Sequence, residues 1–237
     1  MGFSRIMGQE LIIKALRRAR QCGEINHAYL FSGPPGSGKK TLALLFAQSL
    51  NCSGEEEPPC GKCLSCRKIS GGHHPDLYIV KPQGASLKIE QLREIKEQLY
   101  YFPREGRKKV CLLQDAELLT LPAANSLLKI LEEPPGELVF ILLSARPWAL
   151  PGTVLSRCIH FHLKPLTPEK MALLLQKEHP ALLPGEKELI IALARGNPGK
   201  GLEMAAQGEW EKKYAQAFAL LKDIEGGPAE DVWRKAE

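Results

Sequence analysis

The sequence lacks a long apolar segment. No run approaches the roughly 18 consecutive apolar residues that a membrane-spanning helix requires, and residues 1–6 contain no apolar core of a secretory signal. These absences argue against a membrane-spanning or secreted protein and lead us to expect a cytoplasmic one. The sequence also has no internal repeat and no long low-complexity tract, so repeat architectures are not expected.

The chain has little net charge of either sign. Lys and Arg number 32 and Asp and Glu number 27, which leaves a net charge of +5. This balance permits contact with nucleic acid but does not demonstrate it. The hydrophobic fraction of 44% and the charged fraction of 25% are those of an ordinary globular protein. A length of 237 residues suffices for one large domain and a small one.

Short apolar runs alternate with segments of helical periodicity in the larger part of the chain. The runs that have the length and composition of buried strands are 28–31, 77–80, 110–113, 138–143 and 157–163. Helical periodicity extends over 9–21, 40–50, 89–99 and 123–131. This alternation predicts an α/β fold in which a parallel five-stranded sheet is flanked by helices.

The character of the sequence changes after Pro165. Residues 167–169 (TPE) are a typical helix start, and the residues that follow have only helical patterns. We therefore predict a domain boundary close to Pro165. The predicted divisions are an α/β domain over 1–165, a small helical domain over 166–208 and a further segment over 209–237.

Residues 33–39 (GPPGSGK) match the phosphate-binding pattern G-x-x-x-x-G-K and lie between a predicted strand and a predicted helix. Glycines let backbone N–H groups turn toward phosphates, and the lysine and the helix N-terminus add positive charge. The residues that we expect to line the site for ATP or another nucleotide are those of the loop and the turn after it, together with one aspartate after the third predicted strand: Gly33, Gly36, Ser37, Gly38, Lys39, Lys40, Thr41 and Asp115. The alternative is a loop that keeps this shape without using a ligand.

Two positions depart from a competent ATPase. The residue after the P-loop lysine is normally Ser or Thr, whose hydroxyl holds Mg²⁺, but here it is Lys40. Thr41 follows, yet one residue on a helix rotates a side chain by about 100°, so Thr41 does not simply substitute. The strand at 110–113 leads into Gln114-Asp115 instead of an acidic pair, although Asp115 can still contact water. Both departures disfavour Mg²⁺ and fast hydrolysis.

Four cysteines lie close together in the sequence, at Cys52, Cys60, Cys63 and Cys66. Four thiolates satisfy tetrahedral Zn²⁺, and sites with four protein ligands are structural rather than catalytic. We therefore predict a structural zinc knuckle over 52–66. An iron–sulfur cluster and free thiols remain as alternatives.

The neighbouring histidines and the other cysteines are expected to have ordinary structural roles. His73 and His74 follow the knuckle, but with four cysteines available they are expected to be loop residues rather than ligands. Cys22, Cys111 and Cys158 are scattered in apolar surroundings, so we expect them to be small core residues.

As an ordered set, these features resemble the AAA+ clamp-loader subunits of bacterial DNA polymerase III, a family that includes relatives of replication factor C. The resemblance covers most of residues 5–205. It is carried by 8–9, 27–31, the P-loop, the four-cysteine insertion, 74–76, 123–129, 131–135, 155–158 and 161–163. The family implies a lid for the helical domain over 166–208. For 209–237 it implies the start of a helical collar, or else a C-terminal tail.

Within that family the chain is more similar to the delta-prime type than to the gamma/tau motor type, because of Lys40, Gln114 and the pair Ala116-Glu117. This similarity implies a non-motor subunit of a DNA-directed DNA polymerase holoenzyme, without turnover of its own. Its implied partners are gamma/tau and delta subunits, the sliding clamp and primed DNA. The alternatives are an active gamma/tau-like ATPase and a zinc-stapled nucleic-acid-binding module.

The resemblance also implies roles for three further residues. Arg157 in the Ser-Arg-Cys motif is similar to an arginine finger that acts in trans on the γ-phosphate held by a neighbouring subunit. Ser144 occupies the sensor 1 position and Lys200 the sensor 2 position, both in contact with nucleotide. The alternative for Arg157 and Lys200 is an ordinary surface charge. Since ring assembly in the family relies on the collar, a lone chain of this length is expected to be monomeric.

Overall fold

The computed structural model describes residues 2–207, and its centre is a five-stranded parallel sheet. The strands are β1 (Ala28–Ser32), β2 (Leu77–Val80), β3 (Lys109–Leu113), β4 (Leu138–Ser144) and β5 (Ile159–His162). Their order across the sheet is β2-β3-β4-β1-β5, and all four neighbouring pairs are parallel. The fold class predicted from the alternation of strands and helices is therefore confirmed.

Helices cover both faces of this sheet. They are α1 (Glu10–Cys22), α2 (Lys39–Asn51), α3 (Leu64–Ser70), α4 (Ile89–Tyr100), α5 (Leu121–Glu132) and α6 (Gly152–Leu155). Successive side chains of a strand point to opposite faces. Accordingly, Tyr29 and Phe31 of β1 pack with α1 and α2, whereas Leu30 packs with α4 and α5. Because both faces are covered, the central strands β1, β3 and β4 are buried throughout, which explains their nearly continuous apolar sequences.

Within the described part of the chain, the residues from Leu166 to Gln207 belong to a second compact unit. Its described part contains α7 (Pro168–Glu178), α8 (Pro184–Ala194) and α9 (Pro198–Gln207). The Thr167 side chain accepts a hydrogen bond from Lys170 N and so caps α7. At Gly201 a Cβ would lie 3.0 Å from the Met171 sulfur, so α7 and α9 approach closely there. The predicted segment over 209–237 lies outside the described residues.

Several local predictions differ from the structure. The interval 51–72 contains the short helix α3, which the composition of that interval did not indicate. Strand β5 begins only at Ile159, because Arg157 and Cys158 form the turn after α6. The expectation that Cys22 is a core residue is wrong: it ends α1 on the exposed side of the helix. Among residues 2–207, no helix is long and apolar enough to cross a membrane.

Candidate nucleotide and metal sites

The P-loop connects the buried end of β1 to the N-terminus of α2. Gly33 has φ +149°, and a Cβ there would lie 3.0 Å from Ser37 Oγ and 3.1 Å from Leu163 O. Gly38 has φ +91° and forms the N-cap of α2. Both positions therefore require glycine. The loop and the first turn of α2 supply the backbone N–H groups and positive dipole end that suit a phosphate group.

The P-loop lysine is folded over its own loop. Lys39 Nζ donates to Gly33 O at 2.6 Å and to Pro34 O at 2.9 Å. Burial lowers the pKa of the Lys39 ammonium, while the nearby carboxylates of Glu117 and Asp115 oppose that shift. The site therefore holds a lysine between two loop carbonyls and two acidic side chains.

Several buried polar atoms lie near the P-loop, at the carboxyl ends of the strands. Ser37 Oγ, Gln114 Nε2 and Glu117 Oε2 are buried and have no hydrogen-bond partner among the described residues. The other carboxylate oxygen, Glu117 Oε1, accepts from Ala145 N at 3.0 Å. A buried hydroxyl in a loop of this shape fits a phosphate ligand. The amide of Gln114, by contrast, carries no charge for a divalent cation.

At the start of α2, where a competent ATPase has the Ser or Thr that holds Mg²⁺, this chain has Lys40. Lys40 and Thr41 are both exposed on the first turn of α2. Lys40 borders a groove of about 700 Å³ between α2, β2 and α4, whose lining also includes Lys81 and Glu94. A hard cation such as Mg²⁺ needs oxygen ligands in octahedral geometry. The residues present therefore fit a nucleotide phosphate better than they fit Mg²⁺.

Ser144 lies next to the P-loop, at the end of β4. It pairs with Ser32 in the register of β1 and β4, and its carbonyl accepts from Gly33 N at 3.1 Å. Its buried hydroxyl accepts from Arg146 N at 3.1 Å. The structure thus places Ser144 beside the loop, while its sensor role stays a prediction.

Lys200 belongs to the second unit and lies in the first turn of α9. Its Nζ donates to Leu193 O at 3.0 Å, and its backbone N–H is capped by Asn197 Oδ1. These contacts connect α8 and α9. The sensor 2 role of Lys200 likewise stays a prediction.

Arg157 follows α6 at the surface of the first unit. Its Nη1 donates to Thr153 O at 2.9 Å, and its Nη2 donates to Glu132 Oε1 at 2.7 Å. The side chain is 34% exposed. The guanidinium is therefore fixed by two bonds and still open to solvent.

The four predicted metal ligands converge. The sulfur atoms of Cys52, Cys60, Cys63 and Cys66 all lie within 4.8 Å of one another. With Zn–S bonds of about 2.3 Å, tetrahedral geometry places sulfurs about 3.8 Å apart, so the observed spacing suits a metal ion. Three of the four side chains are buried. The cluster can hold a metal ion.

Backbone N–H groups favour thiolates in this cluster. The N–H groups of Cys63 and Lys62 donate to Cys60 Sγ and lower the pKa of that thiol. Burial raises the pKa of Cys63, but N–H donors including Cys66 N outweigh it and bring the pKa to about 6. Burial raises the pKa of Cys66. A bound cation would oppose this effect of burial and favour the thiolate form of Cys66.

His74 forms a hydrogen bond with Ser65 of the knuckle. Its Nδ1 accepts from Asp76 N at 3.1 Å, which leaves Nε2 to donate to Ser65 Oγ at 3.1 Å. Burial lowers the pKa of the His74 imidazole, which favours this neutral form. Asp76 in turn accepts three backbone N–H groups from residues 104–106. The segment 74–76 therefore joins α3 to the loop before β3.

Two acidic residues at these sites were not predicted as site residues from the sequence. Glu117 lies near Lys39 and carries a buried oxygen without a partner among the described residues. Its position four residues after β3 is the sequence signal from which it could have been predicted. Glu132 is bonded to Arg157 across 25 residues, and no local pattern indicates that pairing.

Comparison with known proteins identifies the family. The profile of the family described as "DNA polymerase III, delta subunit" matches residues 8–167. The chain belongs to this family. The resemblance to bacterial clamp-loader subunits is therefore confirmed, and with it a relation to DNA replication.

Relatives of more than one named subunit type match the chain. DNA polymerase III subunit tau of Escherichia coli is 39% identical over 236 residues, which cover 96% of this chain and 36% of that protein. Subunit delta' of Bacillus subtilis is 33% identical over 216 residues, which cover 90% of this chain and 64% of that protein. The chain thus spans about a third of one relative and just under two thirds of the other.

Two solved structures have a fold similar to that of this chain. A gamma subunit-related protein of Thermotoga maritima has a TM-score of 0.59 at 22% identity, over 91% of this chain and 64% of that one. The RuvB Holliday junction branch migration motor of the same organism has a TM-score of 0.60 at 19% identity, over 86% and 63%. At these identities the likeness establishes the fold alone.

Proposed function

We propose that the chain acts as a non-motor, delta-prime-type subunit of a bacterial clamp loader. In this role it binds gamma/tau and delta subunits, presents Arg157 to ATP held by a neighbouring motor subunit, and helps to load the sliding clamp on primed DNA. The observation that carries the proposal is the chemistry of its own nucleotide site, where the two positions for Mg²⁺ hold Lys40, directly after the P-loop, and Gln114, directly after β3.

A motor subunit must hold Mg²⁺ between its own protein oxygens and the nucleotide phosphates. Lys40 adds a positive charge at the start of α2 and offers no oxygen. Gln114 offers a neutral amide whose nitrogen is buried without a partner among the described residues. Without the metal, the charge that develops on the phosphates is poorly neutralised. The P-loop can therefore bind a nucleotide phosphate without turning it over.

The chemistry and position of Arg157 support its proposed contact with ATP on a neighbouring subunit. A planar guanidinium has five N–H donors and stays charged at any relevant pH, so it suits contact with several phosphate oxygens. Two bonds fix Arg157 and leave three of these donors for another molecule. Its exposure lets a phosphate group outside this chain approach it.

The second candidate is a motor ATPase, which one observation favours. Glu117 carries a buried carboxylate oxygen without a partner among the described residues, and its charge acts on Lys39. A motor subunit has an acidic residue at the position of Gln114. The Glu117 carboxylate can take the place of that residue.

Steady-state ATP turnover by the isolated chain, with clamp and primed DNA present, separates the two candidates. The first requires turnover no faster than that of the Lys39→Ala variant, with a gamma-type subunit as positive control. Turnover that is abolished by Lys39→Ala and by Glu117→Gln would establish the motor candidate and contradict the first.

We also propose that the metal of the knuckle is a structural zinc ion. Four sulfur donors and no open position suit Zn²⁺ in a structural site. Metal analysis together with an X-ray absorption scan at the zinc edge should show about one zinc per chain. An iron signal with the visible absorbance of an iron–sulfur cluster would contradict this assignment.

A further inference from the structure

Glu132 and Arg157 form an ion pair at the surface of the first unit. Glu132 is the last residue of α5, and Arg157 lies two residues beyond α6. The distance from Arg157 Nη2 to Glu132 Oε1 is 2.7 Å. We propose that Glu132 is a positioning residue for Arg157, which it holds in the orientation that reaches a phosphate on a neighbouring subunit. This inference rests on the proposed function and concerns the same site.

The two partners project from a rigid support. Leu131, next to Glu132, is 2% exposed, and Val154 of α6 is 0% exposed. Both belong to the core that lies between the sheet and α5. The backbones that carry the pair are therefore held by packing and not by the pair itself. A positioned site needs such a support, because a flexible one would not fix the direction of a long side chain.

The two contacts orient the Arg157 guanidinium and occupy only two of its five N–H donors. Nη1 is bonded to Thr153 O and Nη2 to Glu132 Oε1, so both terminal nitrogens have one fixed hydrogen bond. Two bonds from different elements fix the plane of the group. The Nε–H and one hydrogen on each terminal nitrogen remain for phosphate oxygens. An arginine that must act on a neighbour benefits from this arrangement, since less rotational freedom is lost when the phosphate arrives.

The adjacent residue provides a matched control. Glu133 has the same side chain and is also exposed, and within residues 2–207 its side chain has no ion pair. A comparison of Glu132→Ala with Glu133→Ala therefore removes one carboxylate in each case, and only the first removes the pair. Glu132→Gln keeps an oxygen that accepts from Nη2 but removes the charge.

The first measurement is ATP turnover by a reconstituted clamp loader that contains each variant. Exposed ion pairs shift populations by about 1.4- to 5-fold. We expect Glu132→Ala to lower kcat at the site that Arg157 serves by about that factor. KM for ATP should not change, since the motor subunit binds the nucleotide. Glu132→Gln should lie between the wild type and Glu132→Ala, and Glu133→Ala should equal the wild type.

A double-mutant cycle tests whether Glu132 acts through Arg157. If it does, Glu132→Ala should have no further effect in an Arg157→Ala background. An equal fall in both backgrounds, or a rise in turnover with Glu132→Ala alone, would contradict the inference. If Arg157→Ala itself leaves turnover unchanged, the proposed function fails. If Arg157→Ala lowers turnover and Glu132→Ala behaves as Glu133→Ala does, only the positioning role fails.

A second readout uses the isolated chain. The Nε–Hε resonance of Arg157, assigned by its loss in Arg157→Ala, reports the mobility of the guanidinium by ¹⁵N relaxation. Glu132→Ala should make this group more mobile and Glu133→Ala should not. Equal mobility in the wild type and Glu132→Ala would overturn the inference, whatever the turnover shows.

Discussion

Replacing Asp76 by Asn should strongly destabilise the α/β domain. The carboxylate is fully buried, and it accepts from Arg104 N at 2.7 Å, Glu105 N at 2.9 Å and Gly106 N at 2.7 Å. Oδ2 takes two of these bonds and Oδ1 takes one. An asparagine can keep its oxygen toward the pair at 105–106, but its NH₂ group then faces Arg104 N, which is also a donor.

The expected cost follows from that geometry. One charge-assisted hydrogen bond, worth about 1.5–3 kcal/mol, is lost, and a buried donor without an acceptor adds about 1–3 kcal/mol. We therefore expect Asp76→Asn to lower the free energy of unfolding by about 3–5 kcal/mol at neutral pH. Urea denaturation of the wild type and the variant measures this difference. Asp115→Asn, a substitution of an exposed aspartate, is the control.

The pH dependence of this cost provides a second check. Burial acts to raise the pKa of Asp76, but the three N–H donors outweigh it and the pKa lies below 3.8. Because the folded pKa is lower than the unfolded one, the stabilisation is complete above the unfolded value. It is lost as the pH falls from there through the folded pKa. The difference in stability between the wild type and the Asp76→Asn variant should therefore shrink below about pH 4. A difference under about 1 kcal/mol at neutral pH would show that the three hydrogen bonds to Asp76 do not stabilise the fold as proposed.

Three other outcomes are expected. Cys66→Ser should reduce bound zinc from about one equivalent to a small fraction, as measured by metal analysis, while the control Cys22→Ser should retain its zinc. Equal zinc content in the two variants would contradict the four-sulfur site. Phe46→Ala should cost about 3–5 kcal/mol in urea denaturation, because the ring is fully buried against Tyr29; Phe102→Ala, at 84% exposure, should cost little. Cys22 should react with a thiol reagent in the native protein, because it is exposed. Cys111 should not react, since burial raises the pKa of its thiol. Rapid labelling of Cys111 would contradict its burial.

The sheet and the P-loop could be predicted because their signals are local. A buried parallel strand such as β1 has a nearly continuous apolar sequence, and a turn that needs glycine at Gly33 and Gly38 leaves a readable pattern. The knuckle was likewise predictable, because the spacing of its cysteines reflects the ligand requirement of a metal. The four sulfurs converge and can hold a metal ion, while the zinc itself stays a prediction.

Features that depend on distant residues could not be predicted in the same way. Glu132 and Arg157 meet because α5 and α6 pack on one core, and neither residue carries a local sign of the other. Helix α3 was missed because glycines, prolines and charged residues surround it. Cys22 was misassigned because apolar residues close in sequence do not fix which side of a helix faces the core.

The most direct test of the account is ATP turnover by a reconstituted clamp loader that contains Arg157→Ala. Arginine fingers contribute about 10³-fold or more to phosphoryl transfer, so hydrolysis at the served site should nearly vanish. The variant should assemble normally, since the Arg157 side chain is partly exposed and its surface ion pair contributes little to the fold. Arg93→Ala, which replaces an exposed arginine on α4, should match the wild type. Unchanged turnover with Arg157→Ala in a fully assembled complex would contradict the proposed function.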